Sequence, residues 1–128
     1  MEHITNLDIS IYQKACDKPI RSSDLILTDN QKEHIIKRRG QSFYDKLRPY
    51  FKEIVEEPDF IFVDNNHKNS VIVCKTINVE KNNINIVIRL AVETDDPWKK
   101  NSIITVILEN NKRNQQRIRN NIYIYKRK

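Results

Sequence analysis

The sequence predicts an α+β fold, with N-terminal helices packed on one face of a four- to five-stranded antiparallel sheet. Three observations predict it. The apolar period is near 3.6 before Pro58 and becomes two after it. β-branched residues crowd the second half, in DFIFV, SVIVCKTINV, INIVIRLAVE and SIITVILE. The connections DNNHKN and EKNN are hairpin-like in length and chemistry. A chain of 128 residues is expected to form one domain, residues 1–128, with 1–23 as an N-terminal extension or helix.

Each element has a local cause. Leu7, Ile11 and Ala15 are spaced as on a short amphipathic helix over 7–16. Thr28 and Gln31 have capping-box spacing, so a helix is expected through QKEHIIKRR, ending at Gly40 in the left-handed C′ position. A second helical stretch covers 42–57, broken or restarted at Pro49. Its apolar face is Phe43, Leu47, Phe51, Ile54 and Val55, and Pro58 closes it. Strands follow at 59–63, 70–79, 84–93, 102–109 and, in IYIYK, at 122–126. With helices on one face, the other sheet face is expected to lie open.

Composition excludes several classes. One glycine, Gly40, is too few for any Gly-rich phosphate loop, so nucleotide cofactor chemistry is not expected. Cys16 and Cys74 stand far apart without a CxxC, which argues against a disulfide framework or a zinc site. No apolar run approaches the ~18 residues of a membrane span, and the first residues, MEHITNLDIS, do not read as a signal peptide. The expectation is a soluble, cytoplasmic domain without cofactor, metal or membrane partner.

The net charge of +6 is a C-terminal property. Residues 99–128 hold nine basic side chains and one acidic one. Clustered cations without carboxylates favour a polyanion, because each phosphate contact releases counterions. A solvated basic tail is the other reading of the same run.

The three histidines are the first candidates for chemistry. His3 lies near the terminus and His67 in a polar turn, and both read as surface residues. His34 lies mid-helix with Arg38 one turn on, as a candidate general acid or base or as a half-exposed helix residue. Lys75, Arg89 and Thr105 interrupt apolar strand faces. Such residues need partners, either a structural salt bridge, to Glu93 or Glu56, or a bound anion. No carboxylate cluster suited to Mg²⁺ stands out, and Glu56-Glu57 and Asp95-Asp96 sit at ordinary helix-end and turn positions. A phosphodiesterase built from these residues is expected to be metal-independent. That favours RNA, whose 2′-hydroxyl can act as nucleophile.

The segment LTDNQKEHIIKRRGQSFYDK, the later Pro58-Asp59-Phe60-Ile61, KNSIIT at 100–105 and the closing IYKRK resemble, in order and spacing, the phage-associated nucleases of the barnase–EndoU–colicin–RelE (BECR) superfamily. The resemblance covers roughly Asp24 to the C-terminus. It implies a BECR-like α+β fold and metal-independent RNA cleavage by a toxin-like domain of phages and prophages, with RNA as partner and a protein inhibitor or immunity partner as another. By position it points to His34, Arg38, Ser102 and Thr105, to which the strand-face argument adds Lys75 and Arg89. Flanking RNA is assigned to Arg39, Lys112, Arg113, Arg117, Arg119 and Tyr125. Where the family pattern has Arg-His, this chain has Arg38-Arg39. Arginine clamps phosphate but is a poor proton shuttle. The alternatives are a catalytically inactive module that binds nucleic acid or protein, such as a phage anti-defence factor, and a structural accessory of a phage particle. The catalytic reading requires His34 to share a water-accessible hollow with cations borne by the strands.

Overall fold

The computed structural model describes residues 1–79, 82–120 and 122–127. Glu80 and Lys81 of the EKNN turn, and Lys128 of the basic run, lie outside the described residues. The N-terminal part folds as strand β1 (Glu2–Asn6), a single helical turn α1 (Ile9–Tyr12) extended by a 3₁₀ turn, and strand β2 (Asp24–Leu27). Asp8 caps α1 by accepting from the Ser10 N–H at 3.1 Å. The region expected as an extension or helix thus also carries a strand.

Helix α2 (Asp29–Arg39) begins where the capping signal puts it, with the Thr28 hydroxyl accepting from the Gln31 N–H at 3.2 Å. It ends at Gly40, whose φ of 93° with ψ of 152° is open to glycine but lies outside the left-handed helical well. The chain therefore passes straight into α3 (Gln41–Leu47). A 3₁₀ turn at Pro49 separates α3 from α4 (Phe51–Glu56), so the second helical stretch is restarted at the proline.

Strands β3 (Phe60–Val63), β4 (Ser70–Val79), β5 (Asn82–Arg89) and β6 (Asn101–Glu109) form an antiparallel meander. Helix α5 (Asn111–Asn120) follows, and strand β7 (Tyr123–Lys126) returns to pair antiparallel with β3. The sheet has seven strands, in the order β1-β2-β6-β5-β4-β3-β7, where the sequence reading had four to five. The added pair is β1–β2. β1 is mostly polar, and β2 is a four-residue run buried from Leu25 to Leu27, so neither shows the alternation that marks a half-buried strand. β2 pairs with β6 in parallel, over Leu25–Asn101 and Ile26–Ser102. Fully buried Asn101 fixes this junction, donating to the Ser22 and Asp24 carbonyls at 2.7 and 2.9 Å and accepting from the Ala91 N–H at 2.8 Å.

The core lies between the sheet and helices α1 to α4. It joins Tyr12, Ile35, Leu47, Phe51 and Ile54 to Leu25, Ile61, Val71, Val73, Ile84, Ile86, Ile88 and Ile103. Each such side chain contributes ~1.5–3 kcal/mol on burial, which makes this side the main source of stability. The opposite face was expected to be open, and α5 corrects that. Ile118 packs over a small cluster of Phe62, Ile72, Cys74 and Val87. Around it Asn85 donates to Glu109 at 2.7 Å and Arg117 Nε to Glu109 at 2.6 Å. The uncovered part of this face is a hollow. No helix among the described residues is long and apolar enough to cross a membrane.

Candidate active site

The hollow starts from an irregularity in β6. Its register with β5 runs Val87–Thr105 and then Ile88–Ile103, so Ile104 is an extra residue, a β-bulge. Strict alternation would put Ile103 and Thr105 on one face. The bulge instead sends Ile103 into the core and leaves Ile104 and Thr105 on the wall of the hollow.

Two adjoining cavities share Ile104 and Thr105. The larger, about 720 Å³, is lined by Arg89 and Thr105 of the sheet, Arg117 of α5, Lys99, and Asp64, His67 and Lys68 of the β3–β4 turn. The smaller, about 390 Å³, is lined by Asn30, Gln31, His34 and Arg38 of α2. α2 reaches it because β2 pairs with only two residues of β6, and the chain then turns at Thr28 so that α2 packs beside β6. Ile35 enters the core while His34 and Arg38, one turn apart, stay exposed. Neither side chain makes a hydrogen bond or ion pair among the described residues.

The β3–β4 turn is fixed from below. Asp64 is 9% exposed, donates its N–H to the Ser70 carbonyl at 2.9 Å and accepts from the Asn66 N–H at 3.0 Å. Its second oxygen meets His67 Nδ1 at 3.3 Å. Asn69 closes the turn at φ 60°, a conformation that asparagine tolerates. The sequence reading put His67 at the surface, and it is exposed there; its place on the cavity wall and its buried partner Asp64 carried no signal in a polar turn. The Asp-x-x-His spacing was the one available clue.

Arg89 has found a structural partner, but a different one from Glu93 or Glu56. One terminal nitrogen donates to Asp95 at 3.0 Å and the other to the Leu90 carbonyl. Asp95 also accepts from the Val92 N–H at 2.8 Å. That backbone hydrogen bond, and then the Arg89 guanidinium, hold its carboxyl below the ordinary aspartate value against the opposing effect of burial.

Other expected site residues are placed elsewhere. Lys75 lies opposite Ile84 in the register, on the core face, and its ammonium donates to the Glu57 carbonyl at 2.7 Å. It does not meet Arg89, because residues 75 and 89 belong to opposite faces of the sheet. Ser102 pairs with Arg89 in the register yet lines neither cavity. Tyr125 pairs with Ile61 and packs against the helix-side core. The aromatic row of the other face is Phe60, Phe62 and Tyr123. Arg39 is exposed at the end of α2, outside both cavities. Lys112, Arg113, Arg117 and Arg119 lie on α5, and Arg117 reaches the larger cavity. Among the described residues no three His, Cys, Asp or Glu side chains gather as a metal site.

The chain matches the family described as phage-Barnase-EndoU-ColicinE5/D-RelE like nuclease2 over residues 7–126. It belongs to that family of BECR-like phage nucleases. No curated protein and no solved structure matches it. The matched stretch takes in every element after β1.

Proposed function

We propose that the protein is a metal-independent endoribonuclease, toxin-like and active in the cytoplasm of the phage host, which cleaves RNA by attack of its own 2′-hydroxyl. The observation that carries the reading is the shared wall at Ile104 and Thr105, with His34 and Arg38 on one side and His67 and Arg89 on the other. One histidine removes the 2′-hydroxyl proton as O2′ bonds to phosphorus. The other protonates O5′ as the P–O5′ bond breaks, leaving a 2′,3′-cyclic phosphate and a 5′-hydroxyl. His67 takes the role of the histidine that Arg39 replaces in the family pattern. Asp64 on Nδ1 leaves Nε2 for the substrate. Arg38, Lys68 and Lys99 attract the phosphate, and Thr105 hydrogen-bonds it.

The test is cleavage of a mixed RNA pool by purified protein with chelator present, followed by analysis of the new ends. Cyclic phosphate ends, abolished by His34→Ala or by a 2′-deoxy substitution at the cleaved site, are expected. RNA left intact by the wild type at every pH from 5 to 8, with or without divalent metal, overturns the proposal. Retained binding to RNA with a steep salt dependence then identifies an inactive nucleic-acid-binding module.

A further inference from the structure

We propose that Trp98 is a stacking platform for one unpaired base of the RNA strand whose backbone enters the larger cavity. The inference rests on the ribonuclease reading for its ligand and adds a single-stranded substrate with a base subsite. Trp98 is the protein's single tryptophan, and it is 77% exposed. Exposure of one apolar residue decides little by itself. What distinguishes this one is its support and its neighbour.

The turn that carries Trp98 is held rigidly. Arg21 donates to the carbonyls of Val92 at 3.2 Å and Lys99 at 3.1 Å, and also to those of Asp95 and Asp96. Lys99 N–H donates to the Asp96 carbonyl at 3.0 Å, and Asp95 ties the turn to Arg89. The backbone beneath the indole is thus fixed, and the ring itself stands in water with its apolar faces uncovered by the fold. Its neighbour Lys99 lines the cavity beside Arg89 and Lys68. Trp98 does not line the cavity itself, but consecutive Cα atoms lie about 3.8 Å apart, so the base next to a phosphate held by these cations is within reach of the indole. Stacking needs a free base face, which a duplex hides, so the subsite selects unpaired RNA.

The experiment uses the fluorescence of the full chain excited at the red edge of the indole band, where the five tyrosines do not absorb, so that the signal reports on Trp98 alone. The probe is a single-stranded 2′-O-methyl oligonucleotide, which lacks the nucleophile and cannot be cleaved by 2′-hydroxyl attack. Saturable quenching is expected, with affinity about tenfold weaker for a blunt, fully paired duplex of the same composition. Trp98→Ala is expected to weaken binding, followed by anisotropy of a labelled probe, by about tenfold, and Trp98→Phe to restore most of it. Tight binding with unchanged fluorescence, equal affinity for the blunt duplex, or unchanged binding by Trp98→Ala overturns the platform. Quenching by a protein that never cleaves unmodified RNA overturns the ribonuclease reading and leaves the platform standing.

Discussion

Asp64 and His67 form a pair at the lip of the larger cavity, the carboxylate 9% exposed and the imidazole 76% exposed, with 3.3 Å between them. A buried acceptor on Nδ1 orients the ring and fixes which nitrogen faces outward. On the proposed reading this pair supplies a proton-transfer histidine with its orienting group, built within four residues of one turn.

Removal of the ring by His67→Ala is expected to lower kcat by about 10²–10⁴-fold, the usual contribution of a positioned acid or base. Asp64→Asn keeps an acceptor for the Asn66 N–H but loses the charge that holds the imidazole, so a smaller loss is expected. Steady-state cleavage of a fluorogenic RNA measures both. Equal activity of His67→Ala and wild type removes His67 from the mechanism.

Lys75 and Arg89 are expected to behave differently, since the sheet separates them. Lys75→Ala should leave cleavage within about twofold. It should cost ~0.3–1 kcal/mol of stability, because a cation is lost from the C-terminal end of α4. Arg89→Ala should lower activity, stability and the order of the 93–100 turn together, since it unpairs Asp95. Urea unfolding beside cleavage assays separates the two. Loss of activity in Lys75→Ala with stability unchanged contradicts the placement.

Asp95 gives a pH dependence of definite sign. Its folded-state pKa lies below its unfolded value, so its stabilisation is fully present above about pH 4. It fades as pH falls through the folded value and the carboxyl takes up a proton. The stability gap between wild type and Asp95→Asn should therefore be constant from pH 5 to 8 and narrow below about pH 4. Thermal melts across this range measure it, and a gap that widens on acidification rejects the assignment.

The capped α2, the proline-split helical stretch and the meander were legible because local signals and tertiary packing agree there. Thr28, Pro49 and the alternation in β4 and β5 say the same thing at both levels. The face of Lys75 was not legible. Alternation puts Val71, Val73 and Lys75 together, but only the register with Ile84 and Ile88 shows that this is the core side. Thr105 was read as facing the open side, where the cavities have it, but the bulge at Ile104 that puts it there was not legible, since an inserted residue leaves no mark on composition. That His34 and Arg38 share one face of α2 could be read from helical spacing, whereas the place of His67 on the cavity wall depended on a turn and the buried Asp64. α5 was missed because Ile118 is its one apolar side chain. A ten-residue helix of Asn, Gln, Lys and Arg is marginal alone and is held by contacts with Glu109 and Asn85.

That dependence makes the docking of α5 measurable through Cys74, which is 2% exposed beneath Ile118. Burial is the main reason its thiol is pushed up to about 12, so little thiolate forms at pH 8 and no reagent reaches it while α5 is seated. Cys16 is only half-buried and should be alkylated first. Ile118→Ala removes the apolar contact over Cys74. If this lowers the free energy of local opening by ~1–2 kcal/mol, Cys74 alkylation should accelerate about five- to thirtyfold, with Cys16 unchanged. Mass spectrometry of iodoacetamide-treated protein resolves the two sites. Cys74 reacting as fast as Cys16 in the wild type would show that α5 does not cover this face in solution, and the larger cavity would then lose its Arg117 wall.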